Sequence, residues 1–187
     1  MRQRAVVLGF WFEPVTYSSS RFGRALTAEE LQTIAAVARS ELTHAFAGLR
    51  VTVSGQHDAR YRVRVVQHLS DPRFRGEVGV AGTSRSVSLF GGDGAVNFSL
   101  LAAYAESYAP ADADREAIVL AVGRGVGRAA VHEFGHQLLG SARFDDDPDV
   151  QSYEYGSAAR RQQYYGAMHW GSAWPALQER LGTRTGS

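Results

Sequence analysis

The stretch Ala129–Asp149, AAVHEFGHQLLGSARFDDDPD, decides how the rest of this 187-residue chain is read. Two histidines stand four residues apart, with a glutamate beside the first and apolar residues on both flanks. On a helix, positions i and i+4 lie one turn apart on one face, so His132 and His136 aim their imidazoles at one point. Glu133 sits one step round, close enough to touch a water at that point without being a ligand. Gly140 follows Leu138 and Leu139, where such a helix stops. Two imidazoles at this spacing suit zinc, which in open sites takes three protein ligands and keeps a position for water. Glu133 is then placed to take that water's proton as general base.

Farther on, GAMHW (Gly166–Trp170) is the second informative motif. Together, HEFGH and GAMHW resemble the metzincins, zinc peptidases with the motif HExxHxxGxxH or HExxHxxGxxD and a methionine turn beneath the metal. GAMHW is similar to the SIMHY of the astacin branch, with Met168 at its centre. Trp170 stands where that branch has tyrosine, and an indole can only donate a hydrogen bond. The resemblance implies an α+β zincin fold: a mixed twisted sheet, a long N-terminal helix, a metal-binding helix beneath the sheet, and an irregular C-terminal subdomain. It implies Zn2+ as cofactor, a peptide or protein as substrate, and peptide-bond hydrolysis with Glu133 as base.

The chain departs from the family in the third ligand. Gly140 comes one residue late, and the family's position falls on Ala142, which cannot bind a metal. The next oxygen ligands are Asp145, Asp146 and Asp147. Asp145 comes first, and a loop a few residues longer, similar to that of the aspzincins, delivers its carboxylate. Two alternatives stay open. Glu154, in SYEYGS, lies at a distance resembling the gluzincins but lacks their NExxxD surroundings, and His169 adjoins Met168. The acidic run also reads as a solvated loop or a weak calcium site.

Amide hydrolysis needs a donor for the developing oxyanion. In the related enzymes a tyrosine or histidine near the metal often serves, and Tyr153 and Tyr155 stand nearest the ligand loop. The ordinary reading of both is as packed aromatics. The resemblance also implies a substrate strand lying antiparallel to an exposed sheet edge, for which Gly82–Phe90 (GTSRSVSLF) is the expected strand. A different class remains: a non-catalytic zinc-binding or partner-binding protein with a degenerate peptidase fold. The shifted glycine and the missing third histidine motivate it.

Outward from the motif, the chain reads as one domain, 1–187, with the sheet and two main helices in 1–140 and the C-terminal subdomain in 141–187. AVVLGFWF (Ala5–Phe12) is a buried strand and the start of the fold, not a signal peptide. Thr27 with Glu30 three residues later forms a capping box, and an apolar stripe from Leu31 to Leu49 follows. LRVTVSG and ARYRVRVVQHL read as strands, the second with Tyr61, Val63 and Val65 alternating with arginines. GGDG is expected to turn between two short strands, and LLAAYAESYA to form a short helix or link. A helical pattern runs from Asp112 or Asp114 to Leu139, weakened by Gly123, Gly125 and Gly127. GRGVG lacks the register and preceding strand of a nucleotide loop. Helices are expected over Ser157–Tyr165 and in PALQERL.

The net charge is +1, and all 20 basic residues are arginine. Such a balance gives no strong pull toward nucleic acid or anionic membrane. Without cysteine there is neither a disulfide framework nor a thiolate zinc site. No apolar run approaches the roughly 20 residues that span a bilayer. The expectation is a cytoplasmic monomer; the chain reads from its first strand with no evident inhibitory segment, which leaves a mature exported fragment as the alternative.

Overall fold

The computed structural model describes residues 4–69, 81–86, 91–140 and 142–184. Strands β1 (Val6–Phe12), β2 (Val51–Ser54), β3 (Tyr61–Val66), β4 (Gly82–Ser86) and β5 (Gly92–Asn97) form one sheet in the order β2-β1-β3-β5-β4. The first four in that order are parallel, and β4 pairs antiparallel with β5 at the edge. Five helices are described: α1 (Ala28–Ala45), α2 (Phe98–Ser107), α3 (Arg115–Leu139), α4 (Gln162–Tyr165) and α5 (Trp174–Leu181). The fold is therefore α+β with a mixed sheet. None of the described helices is long and apolar enough to cross a membrane.

Local chemistry sets the helix starts. The Thr27 hydroxyl accepts from the Glu30 N–H at 3.2 Å, and the Glu30 carboxylate accepts from the Thr27 N–H at 2.7 Å, which closes the capping box. Asp114 caps α3 through the Ala117 N–H at 2.8 Å. The same Glu30 carboxylate receives Nε and Nη2 of Arg115 at 2.6 and 2.9 Å, tying the starts of α1 and α3 together. That guanidinium holds the Glu30 carboxyl down at about 2, with the Thr27 N–H assisting.

β3 buries Tyr61, Val63 and Val65 and turns Arg62 and Arg64 to the other face. There the arginines face Asp93 at 3.5 Å and Glu13 at 3.8 Å, acids on or beside neighbouring strands. One continuous core joins Leu8, Phe10, Val63 and Val96 of the sheet to Ile34, Ala38 and Leu42 of α1 and Val122, Val126, Ala130 and Phe134 of α3.

α3 is buried along nearly its whole length. The three glycines that weaken it in isolation are where its neighbours come closest. A methyl group at Gly123 would lie 2.6 Å from the Val37 side chain, and one at Gly127 would lie 2.7 Å from the Ala38 carbonyl oxygen. At Gly125 it would meet the Tyr164 ring at 2.3 Å. Tertiary packing outweighs intrinsic propensity here.

Two expectations are corrected. GGDG is not a turn: Gly92, Asp93 and Gly94 lie inside β5, paired with Tyr61, Arg62 and Val63. The glycines make room for the Gln137 side chain of α3, which a methyl at Gly92 would meet at 2.3 Å. The helix expected over Ser157–Tyr165 is shortened to α4, because the Ser157 hydroxyl takes the Ala159 N–H at 3.2 Å in a local turn. Of the expected strand Gly82–Phe90, β4 covers Gly82–Ser86; residues 87–90 lie outside the described residues.

Gly125→Ala is expected to destabilise the protein by about 1–3 kcal/mol despite alanine's better helix propensity, because the fully buried Tyr164 ring cannot yield. A thermal melt reads this directly. The Glu30 pair contributes stability that is complete above the carboxyl's ordinary value of 4.5 and is lost as pH falls through about 2. Stability measured from pH 5 downward should fall less steeply in Glu30→Gln than in the native chain.

Candidate metal centre

α3 presents two neighbouring faces near its C-terminal end. Glu133 and Gln137, four apart, face the sheet. Gln137 donates from Nε2 to the Arg62 carbonyl at 2.9 Å and to the Ser84 hydroxyl at 3.1 Å, and its Oε1 accepts from the Arg62 N–H at 3.1 Å. This pins the helix to β3 and β4. The Ser84 hydroxyl also donates to the Glu133 main-chain carbonyl at 3.1 Å. The Glu133 carboxylate is buried against β4 where Gly82 has no side chain, since a methyl there would lie 2.3 Å from Oε1. Burial pushes the Glu133 carboxyl up to about 7, against the pull of His132.

His132 and His136 occupy the next face and meet edge to face, ring centroids 4.7 Å apart. The helix ends at Gly140, whose φ of 61° is the left-handed conformation that glycine adopts without strain. The chain then folds back in a 3-10 turn, Ala142–Asp145. Phe144 packs over Gly135, whose missing side chain is required: a methyl would lie 2.2 Å from the ring. That ring contacts both imidazoles, with centroids 5.1 and 4.9 Å away. Thus anchored, the turn delivers the next residue, Asp145.

Asp145 Oδ1 lies 3.0 Å from His132 Nε2 and 3.1 Å from His136 Nε2, and the two Nε2 atoms are 3.1 Å apart. The His132 Nδ1 lies 2.7 Å from the Tyr153 carbonyl oxygen. A carbonyl only accepts, so Nδ1 carries the proton and Nε2 of neutral His132 presents a lone pair to the shared point. The histidines, His132 foremost, hold the Asp145 carboxyl below its usual range. Two imidazole nitrogens and a carboxylate oxygen suit zinc. A tetrahedral zinc with ligands at about 2.0–2.1 Å separates them by about 3.3 Å, close to the spacing found. Of the described residues, His132, His136 and Asp145 form the group able to hold a metal.

The other candidates are engaged elsewhere. Glu154 is buried, and its carboxylate accepts from the Gly171 N–H at 2.7 Å, the Ser172 hydroxyl at 2.9 Å and the Ala173 N–H at 3.0 Å, which fastens the approach to α5. His169 Nε2 faces Asp149 at 3.1 Å. Asp147 Oδ1 accepts from the Asp149 N–H, and Asp146 bridges to Tyr155 through its backbone. Met168 lines a separate hollow with His44, Ala45, Tyr153, Trp170 and Trp174, so the side chain packed on both imidazoles is Phe144.

The two tyrosines separate. Tyr153 is buried, packs on Trp170 with centroids 5.1 Å apart, and serves the site through its backbone carbonyl. Burial pushes its phenol up to about 12. Tyr155 lines the cavity that contains His132, Glu133, His136 and Asp145. That cavity holds about 410 Å³ and is bounded by Ala81–Ser84 of the edge strand region on one side and by Gly156–Arg160. Sequence reasoning missed Phe144 and the Tyr153 carbonyl. The one signal for the first was a glycine between the two histidines.

No family model matches this sequence, and no curated protein is detectably similar to it.

Zinc added to the native chain should bind at one ion per molecule by mass spectrometry or elemental analysis. Asp145→Ala should weaken binding by more than the roughly 10–100-fold that loss of an outer-sphere partner costs. Glu154→Ala and His169→Ala should leave zinc affinity unchanged, the first at a cost in thermal stability.

Proposed function

We propose that this chain is a zinc-dependent peptide hydrolase on a zincin-like frame, with His132, His136 and Asp145 as ligands and Glu133 as general base. The observation that carries it is the convergence of three ligand atoms 3.0–3.1 Å apart in the cavity that also holds the buried Glu133. When bound, zinc supplies Lewis-acid chemistry: it polarises a carbonyl and makes water acidic near neutral pH.

The chain's own groups do the rest. β4 is the edge of the described sheet and borders the cavity, so an extended peptide adds to it as a further strand. That alignment lays a backbone amide across the histidine face. Glu133, beside β4 and buried, takes a proton from the attacking water and returns it to the leaving amine. A base whose proton affinity lies near neutrality suits both transfers. Tyr155 lines the same cavity and is the donor proposed for the developing oxyanion. Tyr153 has no such role, since its contribution runs through the carbonyl that orients His132.

A peptide-library digest with the zinc-loaded protein tests the reading. Glu133→Gln should keep its zinc and lose about 10²–10⁴-fold in cleavage rate. Gly82→Ala should fold and bind zinc but cleave poorly, because its methyl displaces the end of a flexible side chain, the Glu133 carboxylate. Cleavage that persists at the native rate in Glu133→Gln, or no cleavage of any peptide by the native protein, sinks the proposal.

A further inference from the structure

Two arginines are buried among the described residues, and their surroundings differ. Arg128 is fully engaged. Its Nε and Nη2 face Glu41 at 2.9 and 3.4 Å, and Nη1 donates to the carbonyls of Gln162, Gln163 and Gly166 at 2.9–3.2 Å. Arg160 is 8% exposed and is not. Its Nη2 donates to the Ser152 carbonyl and to Gln163 Oε1, both at 3.1 Å. Its Nε and Nη1 are shielded from solvent and have no hydrogen-bond partner among the described residues. The Tyr155 ring lies over the guanidinium at 4.6 Å, a contact that gives the cation no hydrogen-bond acceptor.

A buried cation with unused donors is strongly unfavourable unless something else completes it. Arg160 lines the same cavity as His132, Glu133, His136 and Asp145. Burial lowers its pKa to about 10, so it stays charged at neutral pH. Other walls of the cavity, Ala129, Ala158 and Ala159, are small and apolar, which leaves room for a side chain or a chain end beside this charge.

We propose that Arg160 is the specificity residue of this cavity and selects substrates carrying a carboxylate next to the reacting bond. The carboxylate accepts from the unused Nε and Nη1 donors and displaces the Tyr155 ring to reach them. This rests on the peptidase reading, which supplies the reacting bond. The carboxylate has two sources, an aspartate or glutamate side chain and the free end of a peptide, and both present the same group to a guanidinium.

Peptide binding separates the possibilities, measured by calorimetry with the zinc-loaded, full-length Glu133→Gln protein. Three acetylated tetrapeptides serve as probes: one with an internal glutamate and an amidated end, one of alanines with a free terminal carboxylate, and a neutral one with glutamine and an amidated end. One of the two carboxylate peptides should bind roughly tenfold or more tightly than the neutral one, as expected for a hydrogen bond to a charged group. Which of them does so identifies the source. Adding Arg160→Met should erase the difference while leaving neutral-peptide binding and zinc content intact. If that variant does not fold, Arg160→Gln, which keeps a donor for the Ser152 carbonyl, takes its place.

Equal binding of all three peptides by the parent protein would overturn the proposal, as would a full preference surviving the loss of the charge. The two readings fail separately. Native protein that cleaves peptides without a carboxylate preference removes the role of Arg160 and keeps the peptidase. A carboxylate preference without any cleavage removes the peptidase and keeps the anion-selective cavity.

Discussion

α3 is enclosed by the sheet, by α1 and by the C-terminal segment, and its closest approaches depend on a glycine on one side of the contact or the other. That constraint organises the molecule. Gly123 and Gly127 admit the backbone and side chains of α1, and Gly125 admits the ring of Tyr164. Gly135, the residue before His136, admits Phe144 and so sets where the chain goes after the helix. An isolated helix with four glycines would be marginal. Enclosed, it loses no water contacts it needs and gains close packing on each face. The candidate metal group depends on this last contact, because Phe144 and Asp145 are consecutive and a ring packed against both imidazoles fixes the carboxylate that follows.

Polar groups in this enclosed region are paired with few exceptions, and the pairings assign roles. Gln137 bonds both backbone groups of Arg62 and thereby imitates a strand neighbour for β3. Glu154 satisfies donors at three successive residues ahead of α5. The Tyr153 carbonyl fixes the tautomer of His132, so the C-terminal segment contributes to the centre without placing a Tyr153 side chain in it. Among the described residues the exceptions are Arg62 Nε, the Tyr164 hydroxyl and two donors of Arg160, and of these residues Arg160 lines the cavity.

Features governed by neighbours in sequence were legible before the structure. The capping box at Thr27, the alternation along β3 and the i, i+4 geometry of His132 and His136 depend on a few consecutive residues and on fixed periods. Sequence did not separate Asp145 from Glu154 and His169 as candidate third ligand, since all three have suitable chemistry. What distinguishes them in the structure is long-range competition: the Glu154 carboxylate is taken by 171–173 and the His169 imidazole by Asp149. The glycines of β5 were misread for the same reason. GGDG is turn-like by composition, but its glycines answer to Gln137, forty-odd positions away along the chain and adjacent in space.

The third ligand bears on the base. A carboxylate in place of a third imidazole lowers the charge of the proposed centre by one unit, and water there is less acidic than beside three neutral imidazoles. A weaker acid calls for a stronger base. The proposed base fits that need, because burial against β4 raises the proton affinity of Glu133 well above that of an exposed glutamate. A dication at the neighbouring point would favour its ionised form, so the carboxylate would be available as base although it is buried. Arg160, charged and lining the same cavity, adds positive potential to a site where the proposed dication and the carboxylates of Asp145 and Glu133 would sum to zero. In the proposed centre Gly82 and Asp145 would thus be parts of one arrangement: the glycine permits the burial that strengthens the base, and the aspartate creates the need for it.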